Sequence, residues 1–139
     1  MNNLESILEA AACEVLGSMC FAALEYRGEG TIQNARSASI HFAGEVEGEL
    51  KITLDSDLAK QLAADFLGNS IEEVTPEETK LFTLELANVL CGSALSGLAA
   101  GRHYQLGLPQ SVDPDANPKY CFSVCGSEID LGLSLQLTR

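Results

Sequence analysis

Four residues, Thr75-Pro76-Glu77-Glu78, restrict the fold of this 139-residue chain more than any others. A threonine that accepts from free amides, a proline at the first helical position and a glutamate placed to reach back mark a helix start. The spacing predicts a long helix from Thr75 to Gly101. At 100° per residue, Leu86, Ala87, Leu90, Cys91, Ala94 and Leu98 form one broad apolar stripe. Glu85 and Asn88 fall on the other side, one turn apart, followed on the same line by Gly92 and Ser96. Asparagine competes for backbone hydrogen bonds, and each interior glycine costs about 1 kcal/mol relative to alanine. The outer line therefore gives up helix stability, and in return it holds a carboxylate and an amide at i, i+3 beside residues small enough for close approach.

Around this helix the pattern alternates between helical and extended. Leu4, Ile7, Leu8, Ala11, Val15, Leu16 and Met19 recur at three and four, predicting a helix from Asn3 to about Ala22. Gly28 to Asn34 reads as a mobile loop. Ala38, Ile40 and Phe42, then Leu50, Ile52 and Leu54, alternate with polar residues across a Gly44–Gly48 turn, a hairpin with one wet face. Asp55-Ser56-Asp57 caps a short helix, Leu58 to Leu67, closed by Gly68-Asn69. Beyond the long helix, Tyr104, Leu106 and Leu108 make a strand stopped by Pro109, and Gln110 to Lys119 reads as an exposed loop. Tyr120 to Val124 and Ile129 to Leu137 form a last hairpin. Helices in blocks apart from one-faced strands imply an α+β fold in a single domain spanning residues 1–139, an antiparallel sheet with helices on one face. The final strand, without proline and with few charges, is expected at a sheet edge available for pairing two copies.

A net charge of −12 with no basic cluster repels phosphate backbones and anionic membranes, so nucleic acid and membrane are not expected as partners. The first residues lack a positive region before an apolar run, and no apolar segment is expected to reach spanning length, so a cytoplasmic location is expected. Cys121 and Cys125 would lie about 13 Å apart along a strand, and Cys13 and Cys20 about 10 Å apart along a helix. Neither pair can bridge, and the five cysteines read as small buried apolar residues in a reducing compartment. His41 and His103 occupy polar strand positions without a second ligand nearby in sequence. No nucleophile elbow, phosphate loop, Cys-x-x-Cys or zinc motif is present, so no cofactor or metal of its own is expected.

The Glu85-x-x-Asn88 pair on a long amphipathic helix, the small residues after it and the later Pro109 resemble the CheC/CheX/FliY family of bacterial chemotaxis phosphatases, and CheX most. The hairpin and helix from Phe42 to Gly68 and the Glu14–Met19 run share the likeness. The resemblance implies a homodimer paired through edge strands. It also implies a substrate, the phosphoaspartate of a CheY-like response regulator, which brings its own Mg²⁺ and lysine. Asn88 would orient the attacking water and Glu85 would pair with that lysine. An amide is no base, but it can accept from and donate to a water and hold it in line with phosphorus. The CheC branch often carries aspartate or serine four residues before the glutamate, where this chain has Leu81. The first helix has no second Glu-x-x-Asn, so one site per chain is expected. The alternative is a non-catalytic regulator-binding or flagellar-switch-type domain of the same fold.

Overall fold

The computed structural model describes residues 3–98, 103–126 and 128–138. Three helices and seven strands follow the order α1 (Asn3–Cys20), β1 (Leu24–Gly28), β2 (Ala35–Gly44), β3 (Gly48–Asp55), α2 (Ser56–Leu67), α3 (Pro76–Leu98), β4 (Tyr104–Leu106), β5 (Gln110–Val112), β6 (Tyr120–Val124) and β7 (Ile129–Leu137), with a 3-10 turn at Ile71–Glu73.

Local chemistry sets the helix ends. At the start of α3, Thr75 Oγ1 accepts from the Glu78 amide at 3.1 Å and Glu78 Oε1 accepts from the Thr75 amide at 3.0 Å, the reciprocal pair expected from the sequence. The Asp55 carboxylate accepts from the amides of Asp57 and Leu58 at the start of α2, and Gly68, at φ 73°, ends it. Helix α1 stops at Cys20, two residues short of the expected end. There Phe21 takes a left-handed φ of 57°, donating to Gly17, while Ala22 donates to Leu16. The bond from Phe21 to Gly17 makes this the αL form of helix cap, with phenylalanine where glycine is usual.

The sheet is antiparallel throughout, in the order β1-β6-β7-β3-β2-β4, with β5 also on β2. Registers such as Ala38↔Ile52 and Ile40↔Leu50 align the apolar residues of neighbouring strands on one face. All three helices cover that face, burying Leu8, Leu16, Leu62, Phe82, Leu86 and Leu90 against Ile40, Ile52, Phe122 and Leu131. The α+β architecture expected from the sequence is the one observed. Helix α3 does reach membrane-spanning length and apolarity, with mean hydropathy 1.4 over its best window, contrary to expectation. Its apolar stripe is taken up by the sheet and the other helices.

Other expectations fail for identifiable reasons. The last strand is no edge: β7 lies between β3 and β6, because alternation reports which face is buried but not which neighbours pair. The edges are β1 and the β4/β5 side. There Pro109 stops β4 and pairing with β2 resumes in β5, inside the expected loop. Strand β1 went unread because Leu24-Glu25-Tyr26-Arg27, although it alternates, is short and follows directly on the helical pattern of α1. The segments around residues 29–34 and 113–119 are largely exposed, as expected, but they are tied together as a strap across the far face. Ile32 donates to Ala116 at 2.8 Å, Thr31 bonds Asn117, and the Asp115 amide donates to Ser37 Oγ while Ser134 donates to its carboxylate. Ile32 and Pro118 are buried there.

Gly132 of β7 leaves the space Pro118 fills, since a Cβ at Gly132 would stand 2.6 Å from Pro118 Cβ. Gly132→Ala should lower stability by about 1–3 kcal/mol through overpacking. Urea unfolding followed by circular dichroism reads this, and an unchanged midpoint would mean that the strap is not held there.

Candidate functional site

Glu85 and Asn88 lie on the line of α3 that faces away from the sheet, Glu85 exposed and Asn88 half-buried. Leu86, Ala87 and Leu90, interleaved with them, are buried in the core, so both polar side chains spring from a backbone fixed from behind. At this separation on a helix their Cβ atoms are about 5–6 Å apart, close enough to meet one approaching group together. The hydroxyls of Thr83 and Ser96 bond back to the carbonyls of Thr79 and Gly92, at 2.8 and 3.1 Å. The Asn88 amide makes no such bond among the described residues, nor does Glu85 form an ion pair there. Both are free to bind something else.

Ile7 of α1 packs where a side chain at Gly97 would begin, at 3.0 Å, and α1 runs antiparallel to α3. A groove of about 710 Å³ lies between the two helices, with Ala10, Ala11, Gly92 and Ser93 in its wall. Glu14 is the one charged residue lining it, and α1 supplies no amide to match. The glycines on α3 are therefore unlike one another. Helix packing accounts for Gly97, whereas a Cβ at Gly92 would meet nothing within 4 Å, so packing does not account for Gly92. Gly101 lies outside the described residues.

The remaining candidates separate from this site. His41 sits on the face opposite the helices, its Nε2 2.9 Å from Glu49 Oε2 on the neighbouring strand. His103 is exposed just before β4. Among the described residues no group of three or more His, Cys, Asp or Glu is placed to hold a metal ion. All five cysteines are free thiols, but Cys13 and Cys125 are exposed rather than buried. Cys13 sits on the outer side of α1, and Cys125 occupies a turn at φ 55°. Burial pushes the Cys20 thiol up to about 12, with the Asp65 charge adding to it, and burial alone does the same for Cys91. Burial and then the Glu9 charge raise Cys13 as well. None of these three is activated as a nucleophile.

Comparison with known proteins bears on the same helix. The fold is shared with CheX from Vibrio vulnificus (TM-score 0.74, 19% identity, 95% of this chain and 94% of that one). It is shared also with CheX from Desulfovibrio desulfuricans (0.73, 18%, 97% and 100%). A third is the CheX of a CheX-CheY-BeF3-Mg²⁺ complex from Borrelia burgdorferi (0.72, 21%, 96% and 97%). A comparison with curated protein sequences finds no match. The architecture is thus that of the CheC-like and CheX chemotaxis proteins. The profile of the family "Chemotaxis phosphatase CheX" matches residues 36–120, from β2 through α3 to β6, and the chain belongs to that family.

The buried thiols carry a stability signature. Unfolded, they ionise near their ordinary value of 9.0, whereas Cys20 and Cys91 in the folded chain ionise near 12. Folded protein then holds more protons than unfolded between these values, so stability is complete below pH 9 and is lost as pH rises toward 12. Denaturant midpoints at pH 8 and about 10.5 should show the drop, and replacing both cysteines by alanine should shrink it, leaving the part due to Tyr26, Cys121 and Cys13, which are also raised.

Proposed function

We propose that this protein accelerates hydrolysis of the phosphoaspartate on a CheY-like response regulator, with Asn88 orienting the attacking water and Glu85 pairing with the regulator's active-site lysine. One observation carries the reading: a carboxylate and an uncommitted amide stand side by side on the free line of a helix locked into the core from behind. The Borrelia CheX complex, which contains CheY, BeF3 and Mg²⁺, supports a partner that carries the metal, so this chain needs no cofactor of its own.

In the reaction the water oxygen attacks phosphorus as the bond from phosphorus to the aspartyl oxygen breaks. The products are inorganic phosphate and the regulator's free carboxylate, with the proton passing to phosphate or solvent. Mg²⁺ and lysine of the partner neutralise the phosphoryl oxygens. Asn88 can accept a hydrogen bond from the water through Oδ1 or donate one to its oxygen through Nδ2, and it removes no proton itself. Its contribution is position, and a misplacement of about 1 Å costs roughly a hundredfold. That makes the rigid seat of α3 part of the chemistry. Glu85 docks by a charge-assisted hydrogen bond and sets the depth of the amide.

Asn88→Ala should abolish accelerated release of phosphate, a loss of about a hundredfold or more, while binding to beryllofluoride-activated regulator changes less than about twofold. Folding should be unharmed, because alanine is the better helix residue by about half a kcal/mol. Glu85→Ala should weaken both binding and turnover. Loss of binding in the Asn88 variant, or full activity in the Glu85 variant, would sink the assignment.

Two further properties belong to this proposal. A cytoplasmic enzyme matches a cytoplasmic regulator. Pairing of two copies through the β4 edge, where Leu106 and Leu108 are exposed, would cover backbone groups left open by the short strand. Sedimentation should show a dimer at micromolar concentration that Leu106→Lys dissociates, and a monomer for the unaltered chain ends the idea.

A further inference from the structure

Two residues of the helical layer are each the wrong choice for the chain's own stability. Phe21 occupies the left-handed position that ends α1, where a bulky side chain is strained and glycine is preferred. Its ring earns no packing in return, being 84% exposed. Gly92 is the converse, a glycine inside a helix with open space where its side chain would be. Alanine there would fit and would help the helix. Neither the backbone nor the core accounts for either residue.

Both lie around the Glu85–Asn88 surface. Gly92 is one turn beyond Asn88 on the same line of α3. Leu81, one turn before Glu85, is 54% exposed. Phe66 at the end of α2 packs its ring on Phe82, the residue after Leu81, at 5.6 Å and still leaves 44% of itself in solvent. The C-terminal end of α1 comes to this region too, since α1 is antiparallel to α3 and the Asp65 charge, next to Phe66, reaches Cys20, next to Phe21. Three exposed apolar side chains from three helices thus lie toward the same end of the helical layer as Glu85, with the bare backbone of Gly92 in the α1–α3 groove beyond Asn88, where Glu14 also stands.

We infer that Phe21, Phe66 and Leu81 form an apolar collar that grips the response regulator around its active-site lysine, and that Gly92 is kept without a side chain so that the regulator can seat against the backbone beside Asn88. The inference rests on the proposed function and specifies its partner. Complementary to this surface is a cation flanked by apolar side chains, about 6 Å from the cation on the Leu81 side, the rise of four helical residues. A second copy of this chain fits poorly, because it would bring another Glu85 and another net charge of −12 against the first. Such anchors concentrate binding energy in a few apolar residues, with the charge supplying orientation.

The test compares Phe21→Gly, Leu81→Ala and Gly92→Ala with the unaltered protein. Phe21→Gly and Gly92→Ala should each raise the melting temperature by about 2–4 °C, corresponding to roughly 1 kcal/mol in a chain of this size. Each of the three should weaken binding of a CheY-type regulator activated by beryllofluoride and Mg²⁺ by about tenfold. With phosphorylated regulator the loss should fall on KM rather than kcat. In salt titrations the loss from Leu81→Ala should persist, while binding through Glu85 fades. Beryllofluoride is not hydrolysed, so docking is read apart from turnover: binding without accelerated hydrolysis removes the catalytic reading and keeps the collar. Unaltered affinity in all three variants overturns the collar. Self-association lost in the same variants overturns it as well, in favour of a second copy, and no binding by the unaltered protein overturns both readings.

Discussion

The seating of Leu86, Leu90 and Ala94 on the apolar face of the sheet is the interaction on which the rest depends. It holds α3 from behind along a little over two turns, and the interior packs densely enough that such a helix has one position rather than several. A side-chain amide can aim a water only if its own backbone does not wander. The proposed reaction asks this chain for neither a buried acid nor a nucleophile. It needs stiffness behind a polar pair and clearance in front of it, and the two sides of one helix provide them.

That division explains which parts of the molecule were legible beforehand. Thr75, Pro76 and Glu78 act within a single turn, so the start of α3 could be read residue by residue, and it is observed in the form the sequence implied. The inward-facing apolar residues of β2, β3, β6 and β7 were visible in alternation for the same reason, although β6 turns out to be buried on both faces. Neighbour relations were not visible. Placing β7 beside β3 and pinning residues 113–119 over Ser37 and Ser134 depend on contacts between distant segments, and no local pattern encodes them. At the site, Glu85 and Asn88 were recognisable from spacing and resemblance. Leu81, four residues before Glu85, falls on the same outer line by the same spacing, whereas Phe21 was not recognisable, because an exposed apolar residue and a buried one look alike until the end of α1 is known. Backbone conformation at Phe21 left no signal, since the sequence there suggested the helix simply ran on.

The acidic character of the chain has a place in the same account. Long-range attraction helps little if the partner is itself acidic, so recognition must come from short-range contacts. Locally, one carboxylate among apolar side chains is a more selective feature than a broad charged patch, because desolvating it without a cation opposite is unfavourable. Stability given up at the outer surface of α3 and at the end of α1 is modest beside what the sheet and its helices bury, so the fold can sustain it.

The position of β7 between β3 and β6 also governs how the chain comes together during synthesis. Until the last nine residues of sheet leave the ribosome, β3 has no partner on one side and β6 with β1 has nowhere to attach. The helices can form and gather on the β2–β3 hairpin early, but the layer beneath them stays divided. Nascent chains therefore wait, with a hydrogen-bonding edge open in the middle of the future sheet, and the platform under α3 becomes whole only once β7 has been made.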